Sequence, residues 1–390
     1  MQAQTIEIIK STVPLLQQHG RQITDVFYER LFVEHPYLKN IFNMANQGKG
    51  EQSRALSDAV LAYAQNIDNV VALLPVVERI AHKHTSLGVQ PKHYALVGEC
   101  LLAAIQQVLS LPDDHPALTA WAEAYWLLAD VFINAEKNIY RDSQQQEGGW
   151  SGYRDFYIDR IVDETPEVKS FYFKALDLES VPSFSGGQYV GVRVRPDGAE
   201  HFQVRQYSLS KKGELRISVK AEPQGLVSNY LHACQVGDAV SLQAPTGVFT
   251  LQKNCPKHIF IAGGVGITPM MSMLEQAIDE GAQPDDLLFI QCAKDEDHQI
   301  FQHDLKALKS QHGFHHKLCF ENSNTGDHQG YLNRDVIATW IEALGFCADN
   351  AQVYFCGPKS FMAVLNQFFL ELGFAKADIH YEVFGPSTSL

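Results

Sequence analysis

Ile259-Phe-Ile-Ala-Gly-Gly-Val-Gly-Ile-Thr-Pro-Met270 passes from an apolar run through three glycines into a helical pattern. A glycine loop between strand and helix lets backbone amides approach a pyrophosphate, and strand, loop and helix are all present here. Around it, the apolar runs His258 to Ala262, Leu287 to Gln291 and Val353 to Cys356 alternate with helical stretches at Met270 to Glu280 and Phe361 to Leu372. That alternation predicts a parallel α/β sheet over residues 256–390. In Val353-Tyr-Phe-Cys-Gly-Pro-Lys359 a second strand ends in a tight turn at Cys356, Gly357 and Pro358. Cys356 then lies at the carboxyl edge of the sheet, where ligands bind, although a buried structural cysteine fits that place too.

Upstream, residues 150–255 carry short alternating runs, Tyr153 to Ile158, Ser170 to Ala175, Tyr189 to Val194 and Leu215 to Val219, parted by Pro and Gly. They predict an antiparallel β-barrel. Within it Arg205-Gln206-Tyr207-Ser208 sits on an alternating strand, Arg205 and Tyr207 on one face and Ser208 on the other. Gly225-Leu-Val-Ser228 opens a helical stretch whose free amides could take a phosphate, or form only a turn and N-cap.

From Thr5 to about Tyr140 apolar residues recur at three and four, as in Leu118, Trp121, Ala122 and Tyr125. Residues 1–141 are therefore expected to form an all-α domain. The polar, glycine-bearing stretch 142–149 reads as a flexible linker. On the helical pattern, His84 shares the apolar face of Val76, Val77, Ile80 and Leu87, whereas His82, about 200° round the helix, points to solvent. Taken alone, His84 could be a core histidine.

Lys and Arg total 31 against 45 Asp and Glu, a net charge of −14, which disfavours nucleic acid and anionic membrane as partners. No apolar run approaches the ~20 residues a membrane helix requires, and the start is polar, so a cytoplasmic protein is expected. Seven cysteines without a Cys-x-x-Cys pair fit reduced thiols better than a disulfide framework or a metal cluster.

The order of Arg205–Ser208, Gly225–Ser228, Gly263–Pro269 and Cys356–Pro358 resembles the ferredoxin–NADP reductase superfamily from about residue 150 onward. That resemblance implies FAD with Tyr189 and Tyr207 by the isoalloxazine, Gln206 and Ser208 beside it, and Arg205, Gly225 and Ser228 on the pyrophosphate. It also implies a nicotinamide dinucleotide on Gly264, Val265, Gly266, Ile267, Thr268 and Pro269. The family's C-terminal aromatic maps onto Phe384 in Glu382-Val383-Phe384-Gly385-Pro386, with Glu382 placed to tune flavin potential. Ala293-Lys-Asp-Glu-Asp297, acidic where a 2′-phosphate needs an Arg pair, favours NADH over NADPH.

The helical third resembles a globin through Tyr28, Phe42, Gln52 and His84 in that order. This implies haem b on His84, Phe42 against the porphyrin, although it also suits plain core, and Tyr28 with Gln52 about bound oxygen. Tyr94 and Glu136 would back His84 as a relay. Lys83 could adjust the haem potential by its charge, or be an ordinary solvent-exposed lysine.

Globin, FAD and NAD modules in one chain are the architecture of flavohaemoglobins. The resemblance implies nitric oxide dioxygenation: electrons pass from NADH through FAD to haem iron, and nitric oxide and oxygen give nitrate without an obligate protein partner. An NADH-dependent oxidase or peroxide reductase, an oxygen carrier or sensor, and a haem-free globin-like module on a flavin reductase stay open as alternatives.

Overall fold

The computed structural model describes residues 1–48, 50–252 and 255–385. Its first unit is helical: α1 (Ala3–Ser11), α2 (Val13–Glu34), α3 (Met44–Gly48), α4 (Glu51–Gln65), α5 (Leu74–Leu87), α6 (Pro91–Leu109) and α7 (Pro116–Gln145). One core joins Phe27 and Leu31 of α2, Tyr63 of α4, Leu101 and Ile105 of α6, and Trp121 of α7. At Gly98 a methyl group would meet the Tyr125 ring at 2.5 Å, so glycine sets how closely α6 and α7 approach.

Two local expectations shift. Helix α7 continues through Gln145, into the segment read as linker, because Gln is an adequate helix former and the stop comes only at the glycine pair, Gly148 having φ +70°. Val76 is 38% exposed while Val77 is buried. Eight residues at 100° place Val76 about 80° off the His84 direction, and seven place Val77 almost in line.

The second unit is an antiparallel sheet of β1 (Arg154–Thr165), β2 (Val168–Ala175), β3 (Tyr189–Val194), β4 (Gln203–Ser208), β5 (Arg216–Lys220) and, after helix α8 (Leu226–Ala233), β6 (Ala239–Leu242). The order is β4-β3-β6-β1-β2-β5, and a Leu209–Ile217 bridge brings the two edges together as a barrel. Phe156, Phe171, Val190 and Ile217 fill it, and Val227 and Leu231 of α8 pack on them.

The third unit is the parallel sheet. Its elements are β7 (Lys257–Gly263), α9 (Ile267–Asp279), β8 (Leu287–Ala293), α10 (Gln302–His312), β9 (His315–Phe320), β10 (His328–Gln329), α11 (Arg334–Ala343), β11 (Ala351–Cys356), α12 (Lys359–Glu371) and β12 (Ile379–Tyr381). Strands run in the order β10-β9-β8-β7-β11-β12. Alternate residues face opposite cores, Phe260 and Phe289 with α9, Ile261 and Ile290 with α11 and α12. The sheet is covered on both faces, which explains its near-continuous apolar strands. Among the described residues no helix is long and apolar enough to cross a membrane.

Barrel and sheet are joined by a buried guanidinium. Arg216, 1% exposed, donates through Nη1 to Asp304 Oδ2 at 2.6 Å and Tyr172 Oη at 3.2 Å, and its Nε donates to Ser210 Oγ at 3.0 Å. Its plane lies 4.4 Å from the ring centroid of Phe301, which caps α10 at a left-handed φ of +59°.

The two members of this pair differ in exposure, 1% for the Arg216 side chain and 36% for that of Asp304. Asp304→Asn strands a buried cation and should cost about 2–3 kcal/mol in urea unfolding, whereas Arg216→Met leaves a carboxylate that water can reach and should cost less. Equal losses would contradict the asymmetry.

On β9, burial lowers the His316 pKa from 6.5 to about 4, and its Nε2 lacks a partner. The folded state favours the neutral ring. Its contribution is complete above about pH 6.5 and is lost as pH falls toward 4. His316→Gln should flatten that part of the acid limb in a stability-versus-pH series.

Candidate active site at the junction of the three domains

His84 lies on α5, and its Nδ1 is 2.7 Å from Glu136 Oε1 and 3.1 Å from the Tyr94 hydroxyl. The Tyr94 hydroxyl donates to that same Oε1. A carboxylate only accepts, so Nδ1 carries the proton and the Nε2 lone pair is left free. Glu136 is 2% exposed. Phe132 lies against the imidazole at 5.5 Å between centroids.

Tyr28 is buried in an aromatic group with Phe27, Phe32 and Phe42, the Phe42 ring standing edge-on at 5.9 Å. Burial pushes the Tyr28 phenol far above its ordinary value and keeps it a hydroxyl donor. Gln52, in the first turn of α4, has a buried Oε1 without a partner. Rather than joining Tyr28 in that aromatic group, it lines the cleft toward the barrel.

The opposite side of α5 is a seam with the other domains. Its backbone meets β3 so closely that a methyl group on Gly191 would fall 1.8 Å from the Ser86 carbonyl oxygen. Gln206 Nε2 donates to Ser86 Oγ at 2.8 Å, and the Tyr153 hydroxyl donates to the Leu87 carbonyl at 3.2 Å. His82 is not a free surface histidine: half-buried, its Nδ1 accepts from the Gly247 amide at 3.1 Å and pairs with Thr246 Oγ1 at 2.5 Å. The helical rotation is as expected, but the barrel occupies the space. Lys83 is likewise not a free surface lysine, since Nζ donates to the Gly385 carbonyl at 2.9 Å and faces Glu382. Burial raises the Glu382 pKa, and the charges of Lys83 and Arg79 oppose that rise.

Between α5, the barrel and the C-terminal segment runs a cleft of about 890 Å³. Tyr189, Arg205, Gln206, Ser208 and Gly225 line it, with Glu382 to Gly385 as its far wall. Among the described residues Arg205 has no carboxylate at ion-pair distance, and its Nη1 donates only to the Val204 carbonyl. Ser228 Oγ donates to the Gly225 carbonyl and accepts from the Glu222 amide, which shapes the turn from within. Tyr207 stands beside the cleft, half-buried against the barrel core.

A second pocket of about 750 Å³ opens at the carboxyl edge of the parallel sheet and is lined by Gly263, Gly264, Val265, Gly266, Gly357 and Pro358. Gly264 has φ +53° with open space where a side chain would stand, and a methyl group on Gly266 would meet the Cys356 carbonyl at 2.2 Å. Ile267, Thr268 and Pro269 are buried behind the loop and support it from the core. The Cys356 thiol is fully buried and bonds the Glu382 carbonyl at 3.3 Å, so no free sulfur faces the pocket there. Val383 and Phe384 line both this pocket and the cleft, and Phe384 is 50% exposed. Pro386, also read as a binding residue, lies outside the described residues.

In the acidic run after β8, Asp295 bonds His298 and Glu296 accepts from Ser323. Ala293 and Lys294 of that run line the pocket, with His298 just beyond it, and none of its three carboxylates does. Ser86, Gly191 and Glu222 escaped sequence reading. A glycine inside an otherwise apolar strand does mark close backbone approach, which was the one signal available for Gly191.

The donor sets fit their groups. A lone Nε2 with its Nδ1 anchored suits iron, an unpaired Arg205 beside a helix N-terminus suits a pyrophosphate, and an open glycine loop suits a dinucleotide.

This is a globin joined to a flavin- and nicotinamide-dependent reductase. Family models for globin match residues 25–132, for the oxidoreductase FAD-binding domain 156–251, and for the oxidoreductase NAD-binding domain 260–367. The chain is 42% identical to the flavohemoprotein of Bacillus subtilis strain 168, across 99% of this chain and 98% of that one. It is 39% identical to that of Pseudomonas putida, with full coverage of both. The flavohemoglobin of Malassezia yamatoensis, solved with bound FAD and heme, superposes with a TM-score of 0.87 at 26% identity over 98% of this chain and 99% of that chain. The chain belongs to the flavohaemoglobin family, and as such is an oxidoreductase that takes haem, FAD and NAD.

Gly191→Ala tests the seam. The added methyl group has only backbone to push against, so about 1–3 kcal/mol of stability should be lost. Flavin-to-haem electron transfer in stopped flow should slow, with flavin reduction by NADH unchanged.

Proposed function

We propose that this protein is an NADH-dependent nitric oxide dioxygenase of reducing cell compartments, converting nitric oxide and oxygen to nitrate. The observation that carries the proposal is the buried relay in which Glu136 Oε1 receives both His84 Nδ1 and the Tyr94 hydroxyl. A carboxylate behind an imidazole makes its far nitrogen a stronger donor, which favours oxygen activation over storage.

In this reading His84 Nε2 holds the haem iron, Phe42 packs on the porphyrin, and the Tyr28 hydroxyl stabilises negative charge on oxygen by donating a hydrogen bond. Gln52 adds a carbonyl or amide at the mouth of that space. Arg205, Gly225 and Ser228 hold the FAD pyrophosphate, Tyr189 and Tyr207 flank its ring, and Ser208 and Gln206 orient its reactive edge. The loop Gly264–Gly266, with Gly357 and Pro358, would hold the nicotinamide dinucleotide in the pocket that Phe384 also lines. Among the described residues lining that pocket there is no arginine, which supports NADH over NADPH. Lys83 ties the Glu382–Gly385 wall to the helix carrying His84, and the Glu382 charge lies where it can bias flavin potential. When bound, FAD divides the electron pair of a hydride into single electrons and haem iron joins oxygen to nitric oxide.

The test follows nitrate, NADH and haem absorbance in purified holoprotein given oxygen and nitric oxide. Nitrate equal to nitric oxide consumed, at half that amount of NADH, is the expected result. NADH oxidation without nitrate would replace this reading with an oxidase or peroxide reductase. His84→Ala should lose the haem Soret band and retain FAD absorbance. Tyr28→Phe should speed oxygen release by roughly tenfold, the scale of one hydrogen bond.

A further inference from the structure

Cys292 ends β8, and its register partners are Cys319 on β9 and Gly263 on β7. Cys319, Cys292 and Gly263 thus stand side by side, the last opening the glycine loop. Both cysteines line the nucleotide pocket. Neighbouring parallel strands lie about 4.8 Å apart with register partners on one face. That is inside the roughly 4.4–6.8 Å that Cα atoms of a disulfide span. The Cys319 thiol is close enough to raise the Cys292 pKa, and all seven cysteines are unbridged. Neither thiol has a role in the reading above.

We propose that Cys292 and Cys319 are an oxidative modification site in the wall of the nucleotide pocket, a dithiol that a hydroperoxide closes to a disulfide. One sulfur attacks the outer peroxide oxygen, breaking the O–O bond and leaving water, or an alcohol from an alkyl hydroperoxide, with a sulfenic acid. The second sulfur displaces the hydroxyl of that sulfenic acid, forming the S–S bond. Both thiol protons end on oxygen, and the pair of electrons lost by sulfur reduces the peroxide.

Closure brings the two sulfurs to about 2.05 Å and removes the S–H donors beside Gly263. The wall next to the glycine loop is displaced, and the dinucleotide binds more weakly. A disulfide in the wall of an open pocket is reached by dithiols, which reopen it by exchange, so the change is reversible. Mutual hydrogen bonding and burial keep Cys292 a thiol at neutral pH, so oxidation is slow there and quickens as pH rises. The inference rests on the nucleotide pocket of the NAD domain and is independent of what happens to oxygen at the haem.

The test treats full-length holoprotein with hydrogen peroxide under nitrogen, then counts thiols, maps peptides by mass, and measures flavin reduction against NADH concentration. A Cys292–Cys319 linked peptide is expected, with the half-saturating NADH concentration raised roughly tenfold and restored by dithiothreitol. Bound NAD⁺ should slow the oxidation. Cys292→Ser and Cys319→Ser should each keep their own untreated NADH dependence after peroxide, while Cys347→Ser, at an exposed thiol, should respond like the parent. Thiol loss confined to other cysteines, a linked peptide with unchanged NADH dependence, or the same peroxide response in Cys292→Ser and Cys319→Ser would each overturn the proposal.

Discussion

The Ser86 carbonyl and the α-carbon of Gly191 are so close that no side chain fits between α5 and β3. The bonds that join α5 to the reductase are arranged about that contact. With the helix axis pressed to the strand, residues 82, 83, 84 and 86 fan out by 100° steps to the Thr246 turn, the C-terminal segment, Glu136 and Gln206. The His84 imidazole and the Arg205–Ser208 strand are therefore on opposite sides of one helix.

Each of two adjacent residues on α5 addresses its own buried glutamate, His84 with Glu136 and Lys83 with Glu382. In a poorly solvated interior a charge acts strongly on its neighbours and still reaches across the helix, so the iron side and the flavin side are set by adjacent residues that also feel one another. Glu136 Oε2 is buried without a partner, so the carboxylate puts both its bonds through Oε1, toward the imidazole and the phenol.

Much of this was legible in the sequence because it is written in local patterns. Period-3.6 helices, alternating strands and the glycine loop gave three units in the correct order, and His84, Tyr94 and Glu136 converge as expected. What was not legible depends on contacts between distant segments. His82 and Lys83 read as exposed because a helical wheel knows its own axis but not the barrel laid against it. Cys356 reads as a ligand-edge thiol until the C-terminal segment covers it. Gln52 reads with Tyr28 in sequence order, whereas its place on the wall of the cleft beside the barrel is a tertiary contact. Arg216 gave no signal at all, since Asp304 lies 88 residues away.

The seams between units differ in kind. Globin and barrel meet through neutral polar bonds and one bare backbone contact, groups that water can satisfy if the two are parted. Barrel and parallel sheet share a guanidinium that has no such substitute, held between Asp304 and the Phe301 ring. The chain is consequently more readily divided at one place than at the other: the natural cut falls near Gly148, and a fragment ending at the barrel would keep Arg216 with Tyr172 and Ser210 but without Asp304 or the Phe301 ring.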